Sequence, residues 1–365
     1  MKKLTAVHTG GTKGDLGSNQ ILESEYKIIG IVDGPAVVYD PNGINREALK
    51  KLIDAEQDLD KFSKTMLSED GHLIMADSNE YELKINGSDS SQSKTGTAWQ
   101  NDLIFELSAD ILLPGGGRPS TINRDNVQRL LDRNGKPRYK AIFEGANIFI
   151  TKDVYPIIEK MGIKIIPGPS ANKAGVITSA YEVFVGYVLD DINFIKEMCV
   201  RNGVIPKFRG RYISSVIDVL RARCRQEYVS LRRMVLSDKT GKLTETQASD
   251  LLSQSILDRT YLIMKNYQNW ITPELEALAV VWYTPSALVE KVGIQTILTE
   301  LPREEKLIPM VAKVLASQYH YRYGVGSEDG FQKYLENIKN GTEKFPGTYK
   351  ILNTSIKDLI GVPQP

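Results

Sequence analysis

Four apolar runs, each ending in a turn of small residues or asparagine, constrain the fold of this chain more than any other feature. They begin at Leu4, Ile111, Ala141 and Ile163. Short apolar runs that end in glycine-rich turns and alternate with helical patterns are typical of strands in a parallel sheet. In an open sheet of this kind, ligands bind in the crevice beyond the carboxyl ends of the strands. The turns therefore predict a nucleotide-binding site at that edge.

The pattern between these runs predicts further strands and helices. Residues 27–33 and 73–76 are expected to be strands, because both are apolar and lie between polar stretches. Residues 77–97 are mostly polar and predict a surface hairpin or insertion. The expected helices cover residues 17–24, 46–58, 123–133 and part of 152–161.

The second half of the chain has a different, helical character. From about Glu182 the pattern is helical nearly to the end, and prolines divide it into several helices. One helix is expected to bury the stripe Ile213, Val216, Ile217, Leu220 and Cys224. The dividing prolines are Pro206, Pro273, Pro285, Pro302 and Pro309.

The overall charge argues against a nucleic-acid or membrane partner. Lysine and arginine number 46 against 45 for aspartate and glutamate, so no global field attracts polyanions. An arginine-rich stretch within residues 201–233 leaves RNA binding open as an alternative. Its arginines fall mainly off the apolar stripe, which favours a solvated face or a contact with another part of the protein.

The numbers of cysteines and histidines indicate the cellular compartment and whether a metal site is expected. Two cysteines in 365 residues predict a reducing, cytoplasmic location without a disulfide framework. The three histidines lie far apart in the chain, so no metal site is expected. No apolar run approaches the ~20 residues that a membrane helix needs.

The first turn carries three glycines in the spacing G-x-x-G-x-x-G, at Gly11, Gly14 and Gly17. The dinucleotide fingerprint is G-x-G-x-x-G, so one extra residue separates the first two glycines. The turn still offers flexible backbone and a helix N-terminus, which bind a diphosphate well. A purely structural turn remains open when this motif is taken alone. The other candidate residues of the turn are Asp15, Leu16, Ser18 and Asn19.

Asp33 ends the second predicted strand, where an acid accepts hydrogen bonds from an adenosine ribose. Its charge also repels a 2′-phosphate, and no lysine or arginine occurs between Gly34 and Tyr39. NAD is therefore expected rather than NADP. An acid that only caps the turn before Gly34 is the alternative. The alternating strands and helices predict a Rossmann-like, doubly wound, mainly parallel α/β domain over residues 1–182, followed by a mostly helical region over 183–365.

Five motifs in order resemble the coenzyme-binding, C-terminal part of glutamate dehydrogenases, and in particular the large NAD-specific type. They are G-G-T-K-G-D-L-G-S-N, I-V-D-G-P-A-V-V-Y-D-P-N-G-I-N, A-D-I-L-L-P-G-G-G-R-P, E-G-A-N and S-A-N-K-A-G-V-I-T-S. The resemblance extends over about residues 4–183. It departs at Ala174, where the family commonly has a second glycine.

The resemblance implies roles for residues in the later motifs. Asn147 and Asn172 look like the asparagines that lie near the nicotinamide ribose and carboxamide, and Ser179 looks like the serine that touches the side-chain carboxylate of glutamate. Each asparagine side chain offers both a donor and an acceptor, as a carboxamide requires. A turn residue in a left-handed conformation is the alternative for each. The third motif adds Pro114, Gly115 and Gly116 to the cofactor site.

In this family a substrate-binding domain precedes the coenzyme domain and carries the catalytic groups. We therefore expect no catalytic residue in this chain and expect it to be part of a longer enzyme, with the missing N-terminal part as a partner. The implied reaction is oxidative deamination of L-glutamate to 2-oxoglutarate and ammonia by a homo-oligomer. The isolated chain is expected to bind NAD without turnover. A non-catalytic NAD-sensing or scaffold module, or a leucine, phenylalanine or valine dehydrogenase, remains an alternative.

Overall fold

The structure is a computed structural model that describes residues 3–85, 91–325 and 329–340. It divides into two compact units. Of the described residues, the first contains those up to 173 with Thr244–Thr246, and the second contains residues 174–243 and those from Gln247 on. The boundary predicted after residue 182 lies inside a helix of the second unit, Ala174–Val188.

The first unit is built on a seven-stranded sheet with the order β4-β3-β2-β1-β7-β8-β9. All neighbouring pairs are parallel except β2 with β3 and β3 with β4. A separate hairpin pairs β5 with β6. The strands are β1 (Thr5–Thr9), β2 (Lys27–Val32), β3 (Ala36–Tyr39), β4 (His72–Met75), β5 (Glu80–Leu83), β6 (Gln92–Thr95), β7 (Ile111–Pro114), β8 (Ala141–Phe143) and β9 (Lys164–Ile166).

Helices cover both faces of this sheet, which confirms the predicted doubly wound, mainly parallel architecture. One apolar cluster packs α1 and α2 against β2 and β3, and another packs α3 and α4 against β1, β7 and β8. The chain moves outward from β1 to β4 and then returns to the other side at β7, so the topological switch lies between β1 and β7. The helices are α1 (Asp15–Glu23), α2 (Arg46–Asp54), α3 (Gly96–Glu106), α4 (Tyr155–Lys160) and α5 (Gly168–Ala171).

The predicted helix over residues 123–133 is wrong. Only a short 3-10 turn forms there, at Val127–Leu130. Side chains divert the backbone before it: Asn126 accepts a hydrogen bond from the Asn123 amide at 2.9 Å and donates to the Thr121 carbonyl at 2.8 Å. Asparagines that bond to nearby backbone in this way compete with helical hydrogen bonds.

Two elements are absent from the sequence prediction. Strand β3 is a short, fully buried segment between β2 and β4. Helix α3 begins where the polar insertion was expected to end, and Thr95 caps it by accepting a hydrogen bond from the Ala98 amide at 3.2 Å. The expected hairpin within residues 77–97 is present as β5 and β6, although residues 86–90 lie outside the described residues.

The second unit is helical, as predicted, and its helices pack around one large apolar cluster. All five dividing prolines lie in the first turn of a helix or directly before it. A π-helical turn, Arg303–Leu307, precedes α13. The helices are α6 (Ala174–Val188), α7 (Asp191–Met198), α8 (Lys207–Ser237), α9 (Glu245–Lys265), α10 (Tyr267–Trp270), α11 (Pro273–Tyr283), α12 (Ser286–Glu300), α13 (Ile308–Tyr323) and α14 (Asp329–Lys339).

The buried face of α8 matches the predicted stripe only in part: Val216 is buried and Leu220 packs against the core, but the other three residues are exposed. Ile213 and Ile217 are 44% and 40% exposed, and Cys224 is also exposed. The helix instead buries Tyr212 and Val219 among other residues of the adjacent face. The apolar spacing fits two overlapping faces of one long helix, and only packing decides between them. Within the described residues, no helix is both long and apolar enough to cross a membrane.

His8 generates a testable prediction about stability. Its ring is fully buried in β1, and neither ring nitrogen has a hydrogen-bond partner among the described residues. Burial, and then the charge of Arg46, lowers the pKa of His8 from 6.5 to about 4. Between those two values the unfolded state binds more protons than the folded state. The contribution of His8 to the free energy of unfolding is therefore complete above pH 6.5 and falls by about 3 kcal/mol as the pH drops to 4.

We expect the substitution His8→Val to remove this pH-dependent contribution to the free energy of unfolding. Urea unfolding of the wild type and the variant at several pH values between 7 and 4 gives the difference between their free energies of unfolding at each pH. Carboxylates titrate equally in both proteins, so the gap between the two curves isolates His8. If the free energies of unfolding of the two proteins changed in parallel between pH 7 and pH 4, His8 would not be the source of the lost stability.

Candidate functional site

Backbone hydrogen bonds join the loops that follow the parallel strands. The Gly10 amide donates to the Val32 carbonyl at 2.8 Å, and the Gly115 amide donates to the Thr9 carbonyl at 2.8 Å. Across the next pair of strands, the Ala146 amide donates to the Pro114 carbonyl at 2.7 Å. The loops after β1, β2, β7 and β8 therefore form one connected surface at the carboxyl edge of the sheet.

The glycine turn after β1 is packed too closely for side chains. A Cβ atom added to Gly11 would lie 1.9 Å from the Asp33 carboxylate, and one added to Gly17 would lie 2.5 Å from the Gly11 carbonyl oxygen. Gly10 also has a positive φ of 92° and approaches the Gly116 amide. Helix α1 and the loop after β7 can approach the turn this closely because these positions have no Cβ. Gly14 faces more open space.

The N-terminus of α1 has no side-chain cap. Its N-cap residue is Gly14, and the first helical hydrogen bond runs from the Ser18 amide to the Gly14 carbonyl at 2.8 Å. The amides of Asp15, Leu16 and Gly17 come before that bond, so this end of the helix can receive an anion.

The side chains of Ser18 and Asn19, two of the candidate cofactor residues, donate hydrogen bonds within the helix. Both bond to the Asp15 carbonyl within α1, at 3.3 Å and 2.7 Å. The helix itself therefore uses these side-chain donors. The groups that the turn offers to a ligand are therefore backbone amides.

Asp33 lies directly against the glycine turn. Burial raises the pKa of its carboxyl group above the usual range, and hydrogen bonds from the backbone amides of Gly34 and Gly11 lower it again. Gln100 of α3 holds the following turn by donating to the carbonyls of Asp33 at 2.7 Å and Gly34 at 2.6 Å. Sequence reasoning missed Gln100 because α3 was not predicted.

Two further acids act on Asp33 through space. The charges of Asp58 and Asp60 raise the pKa of Asp33, so the ribose end of the expected site has a concentration of negative charge. Each of the two acids has a lysine nearby, with Lys13 at 3.5 Å from Asp58 and Lys61 at 2.8 Å from Asp60. These charges lie outside residues 34–39, from which the preference for NAD was predicted and most of which form the buried strand β3.

Glu144 fixes the loops after β8 and β9. Its side chain is 1% exposed and accepts three hydrogen bonds: from the Ile150 amide at 2.8 Å, the Tyr155 hydroxyl at 2.6 Å and the Gly168 amide at 2.7 Å. Glu144 is the acid of the E-G-A-N motif, and no role was predicted for it. An acid at the end of an apolar strand was the available signal, because buried carboxylates need several donors.

The two loops that Glu144 fixes bring Asn147 and Asn172 together. The Asn172 amide group donates to the Asn147 side-chain oxygen at 2.6 Å. Asn147 is exposed and Asn172 is half-buried, so both residues remain accessible at the surface. Pro114 ends β7, and Gly115 and Gly116 follow it in the neighbouring loop, where the Thr9 hydroxyl donates to the Gly116 carbonyl. The structure thus gathers every predicted cofactor residue on one edge of the sheet.

Ser179 lies in the second unit, on α6. Its hydroxyl donates within the helix to the carbonyls of Gly175 at 3.2 Å and Val176 at 3.1 Å. It lines a cavity of about 380 Å³ formed entirely by residues of that unit. Across the parts of the chain that the structure describes, no group of three or more histidine, cysteine or acidic side chains is placed to hold a metal ion.

A family model for glutamate/leucine/phenylalanine/valine dehydrogenases matches residues 1–200. The chain belongs to this family. A protein of Schizosaccharomyces pombe named probable NAD-specific glutamate dehydrogenase is 34% identical over 326 residues, which is 89% of this chain and 29% of that protein. Glutamate dehydrogenase 2 of Dictyostelium discoideum is 34% identical over 338 residues, covering 92% of this chain and 32% of that protein. The chain therefore spans about 30% of the length of these relatives.

Glu144 is expected to be a stability determinant of this chain. The substitution Glu144→Gln places an amide donor where the carboxylate now accepts, so at least one buried donor loses its partner. We expect a loss of about 2–3 kcal/mol in the free energy of unfolding.

Tyr155→Phe is the matched control, because it removes a single hydrogen bond to the same carboxylate and is expected to cost about 1 kcal/mol. Urea denaturation followed by circular dichroism measures both. Equal stability of the Glu144→Gln variant and the wild type would show that the carboxylate does not hold the two loops.

Proposed function

We propose that this chain is the NAD-binding portion of a glutamate dehydrogenase. The observation that supports the proposal most is the assembly after β1 and β2: a glycine turn, an uncapped N-terminus of α1 and the acid Asp33 in direct contact. A dinucleotide needs these three features together. A structural turn alone needs no acid packed against it.

Each part of the assembly matches one part of NAD. The free amides at the start of α1, from Asp15 to Gly17, would bind the diphosphate through charge-assisted hydrogen bonds and the helix dipole. Asp33 would accept hydrogen bonds from the adenosine ribose, and its negative surroundings disfavour a 2′-phosphate. Asn147 and Asn172 would hold the nicotinamide ribose and carboxamide with one donor and one acceptor each.

The proposed reaction is the oxidation of L-glutamate to 2-oxoglutarate and ammonia. Bound NAD would supply the hydride acceptor, and the protein supplies binding and orientation. Ser179 would contact the substrate. The groups that assist proton transfer would come from another part of the same enzyme. The full enzyme would be a homo-oligomer. We therefore expect the isolated chain to bind NAD without turning over glutamate.

Asp33 provides the test of cofactor choice. We expect Asp33→Asn to weaken NAD binding by about 10–100-fold, because hydrogen bonds to a charged group contribute about 1.5–3 kcal/mol. The same variant should discriminate less between NAD and NADP, since the charge that repels the 2′-phosphate is gone. Calorimetric titration with each cofactor measures both effects.

Asp54→Asn is the matched control, because Asp54 is an exposed acid at the end of α2 and its loss should leave both affinities unchanged. A wild-type chain that binds neither cofactor, or that prefers NADP, would contradict the proposal. Restoration of glutamate oxidation on mixing with the remainder of the enzyme would distinguish an enzyme part from a sensor module.

A further inference from the structure

Residues 10–17, which include the glycine turn after β1, contain one basic side chain, Lys13. It lies in the chain between Gly11, which packs against Asp33, and Gly14, the N-cap of α1. The ribose and the diphosphate of a dinucleotide are proposed to bind at these two places. A lysine between them would favour a cofactor that carries an additional phosphate, because an ammonium group forms charge-assisted hydrogen bonds with phosphate oxygens.

The loop after α2 places a carboxylate beside this lysine. The Lys13 ammonium nitrogen lies 3.5 Å from a carboxylate oxygen of Asp58. A buried hydrogen bond holds the loop against the turn: Thr12 is 1% exposed, and its hydroxyl donates to the Gln57 carbonyl at 2.7 Å. Thr12 and Gln57 directly precede Lys13 and Asp58 in the chain, so this bond fixes the backbone on both sides of the ion pair.

Asp58 opposes an additional phosphate in two ways. Its charge raises the pKa of Asp33, so the two carboxylates interact, and a phosphate beside Asp33 would be repelled by both. Asp58 also holds the Lys13 ammonium group, which is the basic group that the turn could offer to that phosphate. Both side chains of this ion pair are partly exposed, so the pair contributes little to stability. Its effect is on where the ammonium group lies.

We propose that Asp58 is a specificity-determining residue that holds the Lys13 ammonium group away from the 2′-phosphate of NADP and so keeps a basic glycine turn selective for NAD. The inference rests on the proposed function, because it takes the glycine turn as the cofactor site. It goes further by assigning part of the cofactor choice to the loop after α2, which lies outside both the turn and the end of β2.

The test is a double-mutant cycle in the full chain. Calorimetric titration with NAD and NADP gives the two dissociation constants of each protein, and displacement of bound NAD measures NADP where it binds weakly. We expect Asp58→Asn to raise the affinity for NADP by about tenfold, because the released ammonium group can bind the 2′-phosphate. NAD lacks this phosphate and should gain much less. Adding Lys13→Met to Asp58→Asn should remove most of the gain for NADP.

Asp54→Asn is the matched control, because it removes an exposed carboxylate from the end of α2 that precedes the same loop. It should leave both affinities unchanged. Lys13→Met alone should change the affinity for NADP by less than about twofold, since Asp58 already holds this lysine in the wild type. Circular dichroism of every variant shows that the fold is intact.

Two results would overturn the inference. Asp58→Asn could give no gain in affinity for NADP, or it could give the same gain with Lys13→Met present, which would mean that Asp58 acts by its charge alone. If the wild type binds NAD in either case, the proposed cofactor function stands and only the role of Asp58 falls. Failure of the wild type to bind NAD would count against the proposed function itself.

Discussion

The close approach of the backbone at the carboxyl edge of the sheet is the constraint on which the proposed site depends. Gly11 lies against Asp33, and Gly17 lies against the carbonyl of Gly11, at distances that leave no room for a Cβ. These contacts bring the end of β2 and the start of α1 to the same place. The acid proposed to bind a ribose and the helix end proposed to bind a phosphate are adjacent for that reason.

Much of the first unit was predictable because its local and tertiary signals agree. The buried strands β1, β2 and β7 read as apolar runs, since both of their faces are covered. The failures occur where features other than apolar spacing decide the local structure. Asparagine side chains replace the expected helix near Asn126, and α3 follows a polar hairpin that concealed its start.

The site shows the same division between motif and packing. The proposed roles of the glycines and of Asp33 follow from residue type and position in the chain, so the sequence alone could suggest them. Glu144 and Gln100 act by bonding to backbone of other segments, and those partners are distant in the chain. The sequence also could not predict which face of α8 is buried. Ile217 and Val219 fit helical spacing equally well, and only packing against the neighbouring helices distinguishes them.

A single buried carboxylate, Glu144, accepts amides from both loops that present Asn147 and Asn172. Neither loop can open independently without stranding a buried acceptor. Immobilising a free loop costs roughly 1–2 kcal/mol per residue in backbone entropy. Here that entropy has already been lost during folding, so a ligand meets a preorganised surface and its affinity is not reduced by loop ordering.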